Sequence, residues 1–489
     1  MNIFKRLILC LLAILLLPFS FLTVFAETAE PSAPTEETQE EEGPVIPDVK
    51  RYRVEDGFPA ISAFTVNAGA AALYELNSDT LLYGQDLDKR IYPASLAKVL
   101  TCLVAIENGN LEDEVTVSET ALQNLDPDGT SADLRVGEII KLEDLLYCVM
   151  LASANEACNV VAEHIAGSTD AFVRMLNERA AELGCTDSHF ANAHGLHHED
   201  EYTTVRNLMY IAREALKNET FRTIAFSTTH ELPATNFHPV RTLYTTNYMI
   251  STDQSFKYYY EKAAGVKTGY TSLAGRCLIT TAADGELELL SIVTGCDTTE
   301  EGNGEVYMHN FPESKKLLEY GFENFDYITI LSPIVPVSEV SVTGGERDSV
   351  VVAPLEEGAV SLPYGYDDKD IETVITVPED GVKAPVAPGD IVGTVTIYYQ
   401  GEEMGSSPIT PITEVPAGSS SLPGAAETEP KERISVWKIL FIVAITLVGA
   451  YLVLYIYVNI RRRQRTSQPA HRTQSAGRHK HAPTERRRR

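Results

Sequence analysis

The sequence predicts an α+β protein in which an antiparallel sheet with flanking helices is followed by a small all-β domain and a C-terminal transmembrane helix. Three observations predict this architecture. Strand-like runs lie near both ends of residues 58–326, with helical patterns between them. In residues 327–412, short Val, Ile and Thr runs alternate with Gly, Pro and Asp turns. Residues 436–460 contain an unbroken apolar stretch that is long enough to cross a bilayer.

The first 57 residues precede the predicted globular part. Two basic residues and an apolar run over residues 7–22 lead to Ala26, which predicts a secretory signal peptide at residues 1–26. An uncleaved anchor is the alternative. Residues 27–57 open with a stretch that is rich in Glu, Thr and Pro and almost lacks large apolar side chains. We therefore expect an acidic disordered linker there.

Apolar periodicity and turn residues predict the elements of the two globular regions. We expect, in order, two strands within residues 63–82, a helix that begins near Pro93, a helix over residues 144–150, strands over residues 276–281 and 287–293, a helix over residues 313–320 ended by Gly321, and strands at residues 350–352, 373–377 and 394–399. Asp284 and Gly285 predict a hairpin turn between the strands at 276–281 and 287–293.

The C-terminal residues predict a membrane anchor. Residues 413–435 are rich in Ser, Pro, Gly and Glu and are expected to be a linker. The apolar segment within residues 436–460 is followed at once by three arginines, so the positive-inside rule puts the tail at residues 461–489 in the cytoplasm. The large middle portion then lies outside the cell membrane, where the β-rich domain serves as a spacer. The basic tail either contacts anionic lipids or is a disordered topology anchor.

Composition excludes one class of partner. The chain has 489 residues and a formal net charge of −29, although its tail is basic. The exported part is therefore strongly acidic, which argues against nucleic-acid binding.

Ser95 and Lys98 form an SxxK motif at the predicted start of a helix. The preceding Pro93 suits a helix start, and the i, i+3 spacing places the Lys98 amine beside the Ser95 hydroxyl. A serine hydroxyl becomes a good nucleophile only when a base takes its proton. A lysine can serve only if its pKa falls, through burial or through a second cation such as Lys267. The pair predicts an acyl-transfer centre, with an ordinary helix surface as the alternative.

Ser153 and Asn155 form an SxN motif in a polar break after the predicted helix at residues 144–150. Ser153 can relay a proton between Lys98 and a leaving amine. Asn155 has donor and acceptor capacity for a substrate backbone amide. As the alternative, either side chain could cap the helix that follows.

Lys267, Thr268 and Gly269 precede the predicted hairpin and are expected on a strand near the sheet edge. Lys267 and Thr268 can hold a substrate carboxylate there, and Gly269 lets the substrate backbone approach closely. An oxyanion hole needs two backbone N–H groups, for which the amides of Ser95 and Tyr270 are the candidates. SxxK, SxN and KTG in this order indicate a serine acyl-transferase of the penicillin-recognising kind.

The three motifs resemble those of the serine D-alanyl-D-alanine carboxypeptidases, the low-molecular-weight penicillin-binding proteins. Further segments that read like this family are residues 92–95, 192–196, 202–206 and 267–275. The resemblance implies a transpeptidase/β-lactamase-like domain that removes the terminal D-alanine from peptidoglycan stem pentapeptides through an acyl-serine intermediate. It also implies that β-lactams acylate the same serine and that no metal or organic cofactor is needed.

Carried over by the resemblance, Ser95 is the nucleophile and Lys98 the base. Ser153 and Asn155 match the second motif, and Lys267 and Thr268 match the carboxylate-holding strand.

Three positions depart from the family pattern. Glu156 and Asn207 stand where relatives often have Asp. Residues 296–301 are acidic, whereas relatives often carry basic residues after this strand, one of which helps to hold the substrate carboxylate. We therefore expect the carboxylate to depend on Lys267 and Thr268.

Four other functions remain open on the residues. A His-rich stretch at residues 189–200 resembles a metal site, although no HExxH motif is present. A β-lactamase shares SxxK but needs a placed Glu after SxN that is not found. The acidic segment at residues 297–301 motivates a non-catalytic wall-binding scaffold. A D,D-endopeptidase would use the same residues as a carboxypeptidase. Among the cysteines, Cys158 and Cys185 are plausible disulfide partners, although pairing does not follow from sequence.

Overall fold

The computed structural model describes residues 57–58, 64–123, 125–126, 129–302 and 304–418. The predicted signal peptide, transmembrane segment and basic tail lie outside these residues, as do residues 27–56 and 419–435 of the two predicted linkers. The second linker was predicted to begin at residue 413, but Val415 is buried and bridged to Val386, so the β-rich domain extends beyond residue 412. Within the described part of the chain, no helix is long and apolar enough to span a membrane.

The chain up to residue 324 alternates strands and helices. In order, these are β1 (Ala70–Glu75), β2 (Thr80–Gln85), a 3₁₀ turn (Ala94–Ala97), α1 (Lys98–Asn108), β3 (Glu114–Thr116), a 3₁₀ turn (Thr120–Leu122), β4 (Ile139–Lys141), α2 (Leu142–Met150), α3 (Asn155–Ala166), α4 (Thr169–Glu182), α5 (Val205–Leu216), α6 (Glu219–Phe226), β5 (Thr229–Leu232), β6 (Arg241–Tyr244), β7 (Ala263–Thr271), β8 (Gly275–Asp284), β9 (Leu287–Cys296), β10 (Thr298–Glu300), β11 (Val306–Met308) and α7 (Asn310–Asn324).

Five of these strands form the central antiparallel sheet, in the order β2-β1-β9-β8-β7. The strand that carries Lys267, Thr268 and Gly269 is therefore an edge strand, as predicted. The predicted hairpin is also confirmed, because Asp284 pairs with Leu287 and Gly285 adopts a φ of 62°. Glycine tolerates this left-handed conformation without steric cost.

Both faces of the sheet are covered, which explains why β1 is buried at every residue. Side chains alternate between the faces of a strand. Ala70, Ala72 and Tyr74 accordingly pack into the core formed with the central helices. Ala71 and Leu73 pack into a second core, which includes α7 and the β-rich domain. The predicted antiparallel sheet with flanking helices is confirmed.

The last helix of this region is longer than predicted. It runs from Asn310 to Asn324, and Gly321 lies inside it instead of ending it. A Cβ on Gly321 would lie 2.6 Å from Cδ1 of Leu289 and 2.8 Å from Cδ2 of Leu73. The glycine is a site of close helix–sheet packing and not a helix stop, which the local sequence does not distinguish.

The C-terminal region is all-β within the described residues. Its elements are β12 (Phe325–Leu331), β13 (Ser338–Thr343), β14 (Ser349–Pro354), β15 (Gly358–Pro363), a 3₁₀ turn (Asp368–Asp370), β16 (Ile371–Thr376), β17 (Val382–Lys383), β18 (Gly393–Tyr399) and β19 (Glu402–Pro411). Six strands form one sheet in the order β16-β18-β19-β14-β13-β17, and β12 pairs with β15. The predicted α+β class with a following all-β domain is confirmed. The expected boundary after residue 326 falls inside β12.

Candidate active site

Ser95 lies in the 3₁₀ turn that leads directly into α1. It therefore precedes the α-helix, which begins at Lys98. Nζ of Lys98 lies 2.9 Å from Oγ of Ser95, which is hydrogen-bonding distance. The i, i+3 spacing of the motif thus brings the amine and the hydroxyl together. This is the separation that a serine nucleophile and its base require.

Lys98 is completely buried and makes two further hydrogen bonds. Its amine donates to Oδ1 of Asn155 at 2.7 Å and to the backbone carbonyl of His194 at 3.0 Å. Burial disfavours the charged form and lowers the pKa of Lys98 to about 8. About a tenth of Lys98 is therefore neutral at pH 7, and neutral lysine can accept a proton from Ser95.

The loop that supplies the His194 carbonyl is held by its own polar contacts. Oδ1 of Asn192 accepts from the backbone amides of His194 at 3.1 Å and Gly195 at 2.7 Å. The carboxylate of Glu201 accepts from the Ala191 amide at 2.7 Å, and burial raises the pKa of Glu201 to about 7. The loop is thereby fixed against the turn that carries Ser95.

Ser153 and Asn155 lie at the opposite side of Ser95. The Thr130 hydroxyl donates to the Ser153 carbonyl at 2.5 Å, and the Asn155 amide donates to the Thr130 carbonyl at 3.0 Å. The N-cap of α3 is Ala154, and no side chain caps that helix end. The capping alternative for Ser153 and Asn155 is therefore wrong.

Strand β7 closes the site on its third side. A Cβ on Gly269 would lie 3.2 Å from the Ser95 backbone nitrogen, so the two backbones are in close approach. The Thr268 hydroxyl lies 2.6 Å from the Thr246 hydroxyl. Lys267 is buried, and its amine donates to the Thr268 carbonyl at 3.0 Å.

The sequence left two causes open for a lowered pKa of Lys98, burial or a second cation such as Lys267. Burial is the cause that lowers it. The pKa of Lys267 is itself lowered well below its usual value, first by burial and then by the charge of Lys98.

These elements surround one open cleft of about 1050 Å³. Its lining includes six of the residues selected from the sequence: Ser95, Ser153, Asn155, Thr268, Gly269 and Tyr270. Lys98 and Lys267 lie buried beneath it. The structure therefore brings all eight predicted residues into or directly below one cleft.

Comparisons with known proteins agree with this arrangement. The family model described as D-alanyl-D-alanine carboxypeptidase matches residues 58–298, and the model of the penicillin-binding protein 5 C-terminal domain matches residues 325–417. The chain belongs to the serine D-alanyl-D-alanine carboxypeptidase family.

The matches to curated members of this family and to a solved structure cover most of the length of each relative. D-alanyl-D-alanine carboxypeptidase DacF of Bacillus subtilis is 29% identical over 70% of this chain and 84% of the relative. DacC of Escherichia coli is 28% identical over 73% of this chain and 86% of the relative. The crystal structure of penicillin-binding protein 5 from Haemophilus influenzae has a TM-score of 0.61 at 25% identity, and covers 73% of this chain and 100% of its own.

The departures from the family pattern have structural roles. Oε1 of Glu156 accepts from the Ser131 hydroxyl at 2.7 Å and from the Ala132 amide at 2.6 Å, so it anchors the loop beside the cleft. Nδ2 of Asn207 donates to the Ser188 hydroxyl at 2.9 Å. Hydrogen bonds thus accommodate both the longer carboxylate of Glu156 and the neutral amide of Asn207.

Sequence reasoning missed several residues of the cleft, namely Thr130, Thr246, Arg276 and Asn310. Thr246 and Asn310 belong to no motif, and only the fold brings them to the cleft. Arg276 could have been found, because a hairpin closed at Thr271 and Gly275 places it directly opposite Tyr270.

The structure also bears on the metal site suggested at residues 189–200 and on the suggested disulfide. Among the described residues, no group of three or more His, Cys, Asp or Glu is arranged to hold a metal ion. All six cysteines after the signal segment are buried and free. The suggested pairing of Cys158 with Cys185 is therefore wrong, since both thiols lie separately within the helical core.

Proposed function

We propose that this protein is a membrane-anchored, exported serine D,D-carboxypeptidase that removes the terminal D-alanine from peptidoglycan stem pentapeptides and is acylated by β-lactams. The observation that carries the proposal is the 2.9 Å contact between Nζ of Lys98 and Oγ of Ser95 at the floor of an open cleft. Family membership supports the same activity.

In the proposed mechanism, Ser95 attacks the carbonyl between the two D-alanines while neutral Lys98 takes the hydroxyl proton. The backbone amides of Ser95 and Tyr270 stabilise the oxyanion. Lys98 and Ser153 then deliver a proton to the leaving D-alanine nitrogen, and Asn155 orients the peptide. Water releases the trimmed stem peptide from Ser95 by the reverse sequence of proton transfers.

The proposed location follows from the sequence. The signal segment at residues 1–26 exports the chain, the apolar segment within residues 436–460 anchors it, and the basic tail remains in the cytoplasm. The β-rich domain would hold the cleft away from the membrane surface. This topology would expose the cleft to peptidoglycan, its proposed macromolecular partner.

The test uses the full-length chain in detergent and its Ser95→Ala variant. Each is incubated with a fluorescent penicillin and, separately, with a peptide that ends in D-Ala-D-Ala, with free D-alanine as the readout. We expect labelling and D-alanine release from the wild type and neither from Ser95→Ala. A Lys98→Ala variant should be acylated slower by several orders of magnitude, since nucleophile and base act as a unit.

Two other results would overturn the proposal. Labelling without D-alanine release would indicate a different acyl-enzyme, such as a D,D-endopeptidase, and cross-linked peptide dimers would then be the substrate to assay. Absence of both would indicate a non-catalytic wall-binding protein that retains the fold.

A further inference from the structure

The cleft contains a cation that belongs to none of the three motifs. Among the described residues that line it, Arg276 is the only lysine or arginine. The neighbouring segment at residues 296–301 is acidic and contains β10. Lys257 pairs with Glu301 at 2.8 Å, and neither residue lines the cleft. Arg276 is therefore the positive charge that a ligand entering the cleft would meet.

The register of the sheet places Arg276 at the cleft beside Tyr270. Thr268 and Tyr270 are two residues apart on β7, so their side chains lie on the same face, and both line the cleft. Arg276 is the residue of β8 paired with Tyr270, and cross-strand partners share a face. Arg276 therefore lies beside Tyr270 on the face of the sheet that lines the cleft.

Arg276 is held by a contact with Tyr270 and not by an acidic side chain. Its guanidinium carbon lies 4.2 Å from the centroid of the Tyr270 ring, a stacking contact that leaves the in-plane N–H groups available. Among the described residues it forms no ion pair, and its Nε is buried with no hydrogen-bond partner. Asn310, at the start of α7 in the same cleft lining, has a buried Oδ1 that also has no partner. Buried polar atoms without protein partners are rare, so both atoms are open to further hydrogen bonds within the cleft.

Lys267 is less suited to hold a carboxylate than the sequence suggested. It does not line the cleft, and its amine is occupied by the Thr268 carbonyl at 3.0 Å. Burial and the proximity of Lys98 lower its pKa. A guanidinium remains charged in such surroundings and binds a carboxylate with two parallel hydrogen bonds.

We propose that Arg276, stacked on Tyr270, is the residue that binds the C-terminal carboxylate of the substrate, together with the Thr268 hydroxyl. The inference rests on the proposed function, since it assigns the part of the same cleft that recognises the end of the peptide. It replaces the expectation that Lys267 and Thr268 alone hold the carboxylate.

The test compares two peptides with full-length wild type and Arg276→Gln. One peptide ends in D-Ala-D-Ala with a free carboxylate, and the other carries a C-terminal amide. We expect kcat/KM for the free-carboxylate peptide to fall roughly a hundredfold in Arg276→Gln. Cleavage of the amide peptide should change less than about threefold, which also shows that the variant is folded. Arg276→Lys should recover part of the loss.

Arg90→Gln is the matched control, because Arg90 also stacks on a tyrosine at 4.2 Å but lies outside the cleft lining and pairs with Asp187. It should leave the ratio of the two kcat/KM values unchanged. A second measurement is the acylation rate with benzylpenicillin and with its methyl ester, where Arg276→Gln should slow only the free acid.

The outcomes separate the two proposals. An active wild type with an unchanged ratio in Arg276→Gln would overturn the role of Arg276 and leave the carboxypeptidase intact. Equal losses with both peptides would also overturn it, because they indicate a structural role. A wild type with neither D-alanine release nor penicillin acylation would overturn the proposed function and the subsite together.

Discussion

Lys98 shows how burial converts an ordinary surface residue type into a base. Its amine is fully enclosed and has three acceptors, Oγ of Ser95, Oδ1 of Asn155 and the carbonyl of His194. The amine therefore keeps its hydrogen bonds although it has lost its water. The remaining desolvation brings the pKa to about 8, close to the pH at which the protein would work.

We therefore expect penicillin acylation of Ser95 to depend on pH. Lysine is a base only when neutral, and its neutral fraction rises as pH increases through the pKa of about 8. The acylation rate constant should rise roughly tenfold per pH unit below that value and level off above it. Stopped-flow acylation between pH 6 and 9 measures this. Lys98→Arg, whose guanidinium stays charged, should be slow throughout, and a flat wild-type profile would contradict the assignment of Lys98 as the base.

The 3₁₀ turn of Ser95, the loop at residues 192–196 and strand β7 meet at the nucleophile. A glycine in the loop and a glycine in β7 allow the close backbone approach. The loop at residues 192–196 lies so close to the 3₁₀ turn that a Cβ on Gly195 would be 1.8 Å from the Ala94 carbonyl oxygen. Gly195 also has a φ of 78°, which other residues rarely adopt. Gly269 permits a similar approach of β7. The site geometry thus depends on backbone contacts that no side-chain motif encodes.

Replacement of Gly195 by alanine should separate site geometry from overall stability. In Gly195→Ala the loop must move away from Ala94, so Lys98 loses the His194 carbonyl, and we expect acylation to slow by roughly two orders of magnitude or more. The matched control is Gly321→Ala in α7, whose Cβ would meet Leu289 at 2.6 Å.

Overpacking in the control should lower the free energy of unfolding by about 1–3 kcal/mol, partly offset by the better helix propensity of alanine. Its acylation rate per folded molecule should match the wild type. Acylation kinetics and urea unfolding of both variants provide the comparison. Equal slowing of acylation in both variants would show that general destabilisation, and not the loop position, controls the site.

The two domains are joined by direct contacts in addition to the chain itself. The Ser78 and Ser361 hydroxyls lie 2.8 Å apart, and the rings of Phe58 and Phe325 lie 5.4 Å apart. Ser78 also donates to the buried carboxylate of Glu75 at 2.7 Å. These contacts lie at the β2 side of the sheet, whereas the cleft lies at the β7 side. The β-rich domain therefore supports the sheet without entering the cleft.

Removal of the residues after Gly418 should release the protein from the membrane without changing its chemistry. The truncated chain lacks the apolar stretch at residues 439–458 but keeps every residue described around the cleft. We expect it in the soluble fraction with an unchanged rate of D-alanine release per molecule. A chain ended after Ile460, which loses only the basic tail, should stay with the membrane. Membrane association of a shorter chain that also lacks residues 1–26 would contradict the predicted anchor.

Local sequence determined the chemistry and the element types of this protein. SxxK, SxN and KTG each specify residue types at fixed short spacings, and the helix, edge strand and hairpin that carry them are encoded by local periodicity and turn residues. Ser95 and Lys98 are three residues apart, so one turn of backbone suffices to bring them together. The class of reaction could therefore be predicted before any tertiary contact was known.

Only the tertiary structure decided the electrostatics and the far end of the cleft. Burial of Lys98 and Lys267 depends on packing between elements distant in sequence, so the sequence could not show that burial alone lowers the pKa of Lys98. The position of Arg276 opposite Tyr270 depends on the register of β7 and β8.

Two glycines show the same limit of local sequence. The close approach of Gly195 to Ala94 joins segments about 100 residues apart. Gly321 lies inside a helix because α7 packs tightly on the sheet. Contacts of this kind arise from the fold as a whole, which local patterns of apolar and polar residues do not specify.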